Sequence, residues 1–128
     1  MNENLQGAGG QEESGPPVSI GMLVVLCTFP DAEKARSVAK EIVLEGLAAC
    51  VNLVPGVESI YRWEGEIQQD AEVLAIFKVA SGGFGKLEKA IIEKHPYETP
   101  EVVGIAADQV ESRYLAWVVA ADSIRQAE

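Results

Sequence analysis

The chain has 128 residues, of which 48% are hydrophobic, which is enough apolar material for one core and too little length for two. Its formal net charge is -10, and its Lys and Arg residues are interleaved with acids. Nucleic acid and anionic membrane surfaces both require a positive footprint, so neither is expected as a partner.

The first 21 residues differ in composition from the remainder. They are rich in Gly, Pro, Ser, Gln and Glu and contain no Lys or Arg. This composition predicts a disordered tail over 1–21, followed by one domain over 22–123 and a C-terminal tail over 124–128. The tail lacks the pattern of a signal peptide, and no apolar run is long enough to cross a bilayer, so a cytoplasmic protein is expected. The two cysteines form no CxxC motif and are expected to be free thiols.

Hydrophobic periodicity predicts the order strand, helix, strand, strand, helix, strand, helix. The strands are expected at 22–27, at 47–67, at 73–79 and at 101–105. The second of these bends at Pro55-Gly56 and reverses at 64–66. Helices are expected from Asp31 towards Gly46, from Ser81 to His95, and as a short terminal helix around 114–121. This order is the split βαβ, ferredoxin-like pattern, an α+β fold with an antiparallel sheet.

Two local patterns predict where helices begin. Thr28 with Asp31, and Asp108 with Glu111, each have the spacing of a capping box.

The strands predicted at 22–27 and 73–79 are apolar on both faces. Two helices cover one face in this fold, and a short terminal helix is too small to cover the other. We therefore expect self-association to bury the second face.

The predicted topology places Cys27, His95 and the hairpin tip at one edge of the sheet. Cys27 and His95 together could hold copper or zinc, with Glu98 or Glu101 contributing a carboxylate. Spacing alone favours the simpler alternative, in which Cys27 is a buried strand residue and His95 ends a helix. Cys50 is expected near the opposite end and in a structural role, with no neighbour that would activate it.

Motifs of nucleophilic catalysis are missing from the sequence, which has one His and no GxSxG. The glycines at 82, 83 and 85 precede Lys86, but Leu87 stands where a phosphate-binding loop needs Ser or Thr. A protein that is not an enzyme is therefore expected.

Five segments in order resemble the CutA family, the divalent-cation tolerance proteins: Leu26–Asp31, Leu47–Gly56, Ile60–Gly65, His95–Glu101 and Tyr114–Trp117. The resemblance covers 22–123. It implies a ferredoxin-like subunit in a tight homotrimer similar to the PII signalling proteins, with the long hairpin reaching a neighbouring subunit. It also implies a non-catalytic role in cation tolerance, with copper or another divalent cation bound.

Carried over by motif, the resemblance suggests Cys27, His95 and Glu101 as metal ligands. It also suggests a cleft between subunits that would be lined by Tyr61, Trp63, Glu64, Lys78, Tyr97, Glu101 and Tyr114. Two alternatives stay open. One is a PII-like signalling module that binds a small anionic ligand in this cleft through Lys78 and the glycines, and the other is a structural trimer that scaffolds other proteins.

Overall fold

A computed structural model describes residues 21–127, and side chains are described up to residue 121. In chain order the elements are β1 (Met22–Phe29), α1 (Ala32–Leu44), β2 (Cys50–Trp63), β3 (Glu66–Ala80), α2 (Phe84–Lys94), β4 (Val103–Ala106) and α3 (Ser112–Ala127). A short 3-10 turn, Ser81–Gly83, leads into α2.

The four strands form one sheet in the order β2-β3-β1-β4. β1 pairs antiparallel with β3 and β4, and β2 pairs antiparallel with β3. This order confirms the predicted ferredoxin-like α+β fold. Both cysteines are free thiols, as expected: Cys27 lies opposite Ala75, whereas Cys50 lies opposite Lys78, closer to the start of β1.

One face of the sheet carries the core under α1 and α2. Alternate residues of β1 and β3 point to this face, as the strand period requires, and meet apolar residues at helical spacing. The largest fully buried side chains of this core are Val25, Cys27, Phe29, Ile42, Phe77, Leu87 and Ile91. Burial of each large side chain stabilises the fold by about 1.5–3 kcal/mol.

The opposite face of the sheet is only partly covered by α3. This helix has 16 residues, so the prediction of a short terminal helix was wrong, and it runs past the predicted domain end to Ala127. It packs against β3 and β1, and Val118 is buried there. Trp117 nevertheless remains 54% exposed. No helix within 21–127 has the length and hydropathy needed to cross a membrane.

The caps of α1 and α3 lie three residues later than the capping-box patterns predicted. Asp31 caps α1, and its carboxylate accepts a hydrogen bond of 2.7 Å from the backbone N–H of Lys34. The Glu111 carboxylate accepts bonds from the backbone N–H groups of Arg113 and Tyr114. In each pattern it is therefore the final acid that satisfies the free N–H groups of the first turn.

The β2–β3 hairpin extends well beyond the rest of the sheet. A bulge lies between Val54 and Val57, at the predicted bend, and Glu64-Gly65 makes a two-residue turn with positive φ at both positions. The last pair of β1 joins Phe29 to Val73, whereas the tip pair joins Trp63 to Glu66, seven residues further along β3. At about 3.3 Å per residue, the tip lies about 23 Å past the end of β1.

Candidate functional site at the base of the hairpin

His95 is held between the end of α2 and the end of β1. Pro96 follows it and disfavours helical backbone, so the helix ends at Lys94 and His95 adopts an extended conformation. Its ring stacks on Phe29 with centroids 4.4 Å apart. Nε2 lies 2.8 Å from the Thr28 carbonyl oxygen, and Nδ1 accepts a 3.1 Å bond from the backbone N–H of Tyr97. Because Nδ1 accepts, the hydrogen is on Nε2, which donates to Thr28.

The environment keeps the His95 ring neutral. Burial lowers the pKa of His95 and outweighs the opposing effects of the Thr28 carbonyl and the Glu72 charge; the Lys34 charge acts with burial. A neutral imidazole is the form that binds metal ions. Both ring nitrogens are engaged, however, so a metal ion would have to displace one contact. Release of the Tyr97 N–H would cost about 1 kcal/mol.

Cys27 fits a metal ion less well than His95 does. Its side chain is fully buried in the core. Burial, followed by the charges of Glu101 and Glu72, raises the pKa of the Cys27 thiol to about 12. A metal ligand needs the thiolate, which this environment disfavours.

The described side chains, residues 21–121, contain no group of three or more His, Cys, Asp or Glu residues arranged to hold a metal ion. Cys27, His95 and Glu101 therefore do not form a metal centre together within one chain.

Glu72 is the central residue of this region, and the sequence analysis did not identify it. One carboxylate oxygen accepts a 2.7 Å bond from the Ser59 hydroxyl, and the other accepts a 2.7 Å bond from the Tyr97 hydroxyl. Beside it, the Tyr61 hydroxyl donates to Asp70 at 2.5 Å. Burial and the bond to Glu72 raise the pKa of Tyr97, so its phenol stays protonated as a donor. These contacts connect the loop after α2 to the base of the hairpin.

The other predicted cleft residues lie elsewhere in the single chain. Lys78 and Tyr114 both lie near Cys50, close to the start of β1. Lys78 is six residues along β3 from Glu72, which corresponds to about 20 Å. The Lys78 ammonium donates to the Asn52 side chain and lies 4.0 Å from the Cys50 sulfur. Cys50 therefore does have polar neighbours, contrary to the expectation.

Trp63 and Glu64 lie at the hairpin tip. The hairpin projects from the edge of the sheet at which His95 lies, as predicted, but its tip is far beyond His95. The candidate residues thus form three groups within one chain: the base of the hairpin, its tip, and the Lys78 end of the sheet.

The fold and the long hairpin together define a ferredoxin-like domain with a projecting two-stranded arm. The family model described as "CutA1 divalent ion tolerance protein" matches residues 23–121. The chain belongs to this family, which confirms the resemblance found from the motifs.

Relatives from distant organisms support this assignment. The "Divalent-cation tolerance protein CutA" of Thermus thermophilus is 46% identical over 95 residues, covering 74% of this chain and 92% of that protein. "Protein CutA, chloroplastic" of Arabidopsis thaliana is 40% identical over 107 residues, 84% of this chain but only 58% of that protein. A solved structure of the Thermus thermophilus divalent cation tolerance protein superposes with a TM-score of 0.76 at 44% identity, covering 78% of this chain and 97% of the other.

Proposed function

We propose that this protein is a non-catalytic divalent-cation tolerance protein that binds the cation at the base of the hairpin. The name of the Thermus thermophilus relative and the description of the family model refer to tolerance of divalent ions and to no reaction. The single observation that carries the proposal is the neutral imidazole of His95, which lies near the carboxylate of Glu72. The Glu101 carboxylate acts on Cys27, the residue before Thr28 in β1. Copper is the first metal to test, because it binds imidazole strongly.

Charge and geometry suggest how such a cation would bind. The net charge of -10 raises the local concentration of cations around the protein. His95 Nδ1 would become available once the Tyr97 N–H moves away, at the cost given above, which weakens affinity by about tenfold or less. The Glu101 side chain is exposed to solvent. Cys27 is a weaker candidate ligand, because its thiol is protonated and buried, and the experiment below tests it separately.

We propose further that the protein is a homotrimer in the cytoplasm. The hairpin exposes large apolar side chains on both of its faces, with Ile60 and Ile67 each 65% exposed on one face and Trp63 60% exposed on the other. Burying such surface is a strong driving force for association. A subunit cleft formed in this way could bring the tip of one hairpin to the side chains of another subunit. The two free thiols suit a reducing compartment.

The metal proposal is tested by calorimetric titration of copper into reduced, chelator-treated protein. His95→Ala should abolish the high-affinity phase, and Glu101→Gln should weaken it. Asp108→Asn is the matched control, because Asp108 is an exposed acid near the opposite end of β1 and is not a candidate ligand. Cys27→Ala should leave binding unchanged if the thiol is not a ligand. Binding that survives in His95→Ala would overturn the proposed site.

The same variants separate the alternatives. A PII-like module would bind a small anionic ligand and would lose this binding in Lys78→Gln rather than in His95→Ala. The single chain gives this alternative little support, because Lys78 is on the sheet face towards α3 whereas the glycines precede α2 on the other face. Sedimentation velocity decides the oligomeric state, and a monomer at micromolar concentration would refute the trimer.

A further inference from the structure

We propose that the segment 1–20 docks into a groove between α1 and β2 of its own chain, independently of cation binding. The groove has a volume of about 440 Å³. Its apolar walls are formed by Val43 and Leu44 of α1 and by Val51 and Leu53 of β2. Leu44 is 86% exposed, and Val43 is exposed as well. The described residues therefore leave apolar surface here that a further segment would cover.

The charge of the groove indicates what kind of segment fits it. Arg36 and Lys40 line it, and both are exposed on α1. They are four residues apart, so they lie next to each other on one face of the helix. The whole chain carries a net charge of -10, so a surface that combines two cations with apolar side chains contrasts with the rest of the molecule. Such a surface favours an acidic segment that also contains apolar residues.

The segment 1–20 has this chemistry. It was predicted to be a disordered tail, and it lies outside the described residues. It contains three acids and no Lys or Arg. Two of the acids are the adjacent residues Glu12 and Glu13, and the apolar residues Pro16, Pro17 and Val18 follow them. A segment that is too polar to form a core of its own can still bind to a folded surface.

The segment is long enough to reach the groove. It joins the domain at the start of β1, where Met22 pairs with β3 three residues beyond the β3 partner of Val51. Because β3 lies between β1 and β2, Met22 and Val51 are about 10 Å apart across the sheet and about 10 Å apart along it. The direct distance is then about 14 Å. Five extended residues span about 16 Å, so Pro17 can reach Val51.

The acids of the segment then meet the cations of the groove in the same order along α1. The helix ends at Leu44 near the start of β1, and Lys40 and Arg36 precede Leu44 by about 6 Å and about 12 Å along the helix axis. The pair Glu12-Glu13 precedes Pro17 by four to five residues, which span up to about 13–16 Å. A segment that passes Leu44 at Pro17 therefore brings both carboxylates within reach of the two cations.

Cleavage of the full chain by elastase measures how often the segment is undocked. This protease cuts after small apolar residues, and Val18 is such a residue beside the part that docks. The rate of cleavage follows the population of the undocked form when docking is fast. Leu44→Ser should raise this rate by about threefold or more, as should Arg36→Gln combined with Lys40→Gln. Salt at about 1 M should raise the rate of the natural protein, because it screens the charges.

The matched controls lie on α2. Ile92→Ser removes an apolar side chain that is 50% exposed, and Lys86→Gln combined with Lys89→Gln removes two exposed cations. Neither change touches the groove, so both should leave cleavage after Val18 unchanged. They also report any effect of salt on the protease itself.

Exchanging the charges identifies the occupant of the groove. Glu12→Lys with Glu13→Lys should undock the segment, and adding Arg36→Glu with Lys40→Glu to the same chain should restore protection at Val18. Equal cleavage rates in the natural protein and the groove variants at low salt would overturn the proposal. Failure of the exchange to restore protection would overturn it as well, because the groove would then hold something other than this segment. A rate that depends on protein concentration would contradict docking within one chain.

Discussion

Replacing His95 with Phe tests the hydrogen bonds that hold the loop after α2. Phe keeps a flat ring on Phe29, where the centroids are now 4.4 Å apart, so the stacking contact survives. Both ring hydrogen bonds are lost, one with the Thr28 carbonyl and one with the Tyr97 N–H. At about 1 kcal/mol for each bond, we expect the free energy of unfolding to fall by about 2 kcal/mol at pH 8.

The destabilisation should shrink as the pH falls. The pKa of His95 is lowered in the folded state, so the unfolded chain binds a proton more readily. The contribution of His95 to the free energy of unfolding is therefore complete above about pH 6.5, which is the pKa of histidine in an unfolded chain. This contribution is lost as the pH falls through the pKa of His95 in the folded state. The natural protein should lose this stability and His95→Phe should not. The difference between the two should narrow as the pH falls below about 6.5.

Urea unfolding followed by tryptophan fluorescence measures this difference at each pH. Protein concentration must be constant, because any association makes stability concentration-dependent. Carboxylates titrate in both proteins, so the difference isolates the imidazole. Tyr97→Phe is the matched control, since it removes the bond to Glu72 and leaves the Tyr97 N–H in place. A pH-independent difference between the natural protein and His95→Phe would refute the assignment of a buried neutral imidazole.

Three further predictions concern the hairpin. Trp63→Ala should weaken the proposed trimer by up to about 3–5 kcal/mol, measured as dissociation on dilution, because the side chain is 60% exposed in the single chain and would be covered by a partner. An unchanged dissociation midpoint would show that Trp63 is not an interface residue. Glu72→Gln should raise proteolysis of the loop after α2, because the carboxylate that holds Tyr97 and Ser59 is neutralised; unchanged cleavage would contradict this. The pKa of Tyr97 is raised in the folded state, so the stability that its phenol contributes is complete below about pH 10 and is lost as the pH rises through the folded-state pKa. In urea unfolding at alkaline pH, the free energy of unfolding should therefore fall less in Tyr97→Phe than in the natural protein.

The fold was predictable because local patterns and topology rules agree. The apolar runs of β1 and β3 and the helical spacing of α1 gave the element order, and the split βαβ pattern gave the strand order. Boundaries were less predictable. The strand β3 begins at Glu66, seven residues before the predicted start at residue 73. The residues Gln68, Gln69 and Asp70 are polar, yet they pair with β2 in the hairpin. Their pairing is imposed by β2 rather than by their own hydrophobicity.

The site was only partly predictable, for a different reason. Topology placed His95 beside the end of β1, but the position of Glu72 depends on the bulge between Val54 and Val57, which shifts the register by one residue. That shift brings Ser59 close enough to donate to Glu72. A bulge can be suspected from Pro55-Gly56, but its effect on pairing needs coordinates. The contacts of Cys50 with Lys78 and Tyr114 likewise depend on packing between β2, β3 and α3.

The hairpin is also the reason why we propose that more than one chain takes part in the function. A two-stranded ribbon that projects about 23 Å is marginally stable in water unless a hydrophobic face is covered. The exposed side chains of Ile60 and Ile67 lie on one face of this ribbon, and the exposed side chain of Trp63 lies on the other. Covering either face with the body of a second subunit would stabilise the ribbon and set the angle at its base. Because Glu72 and Tyr97 join that base to the loop of His95, subunit contacts at the tip would act on the proposed cation site through two hydrogen bonds.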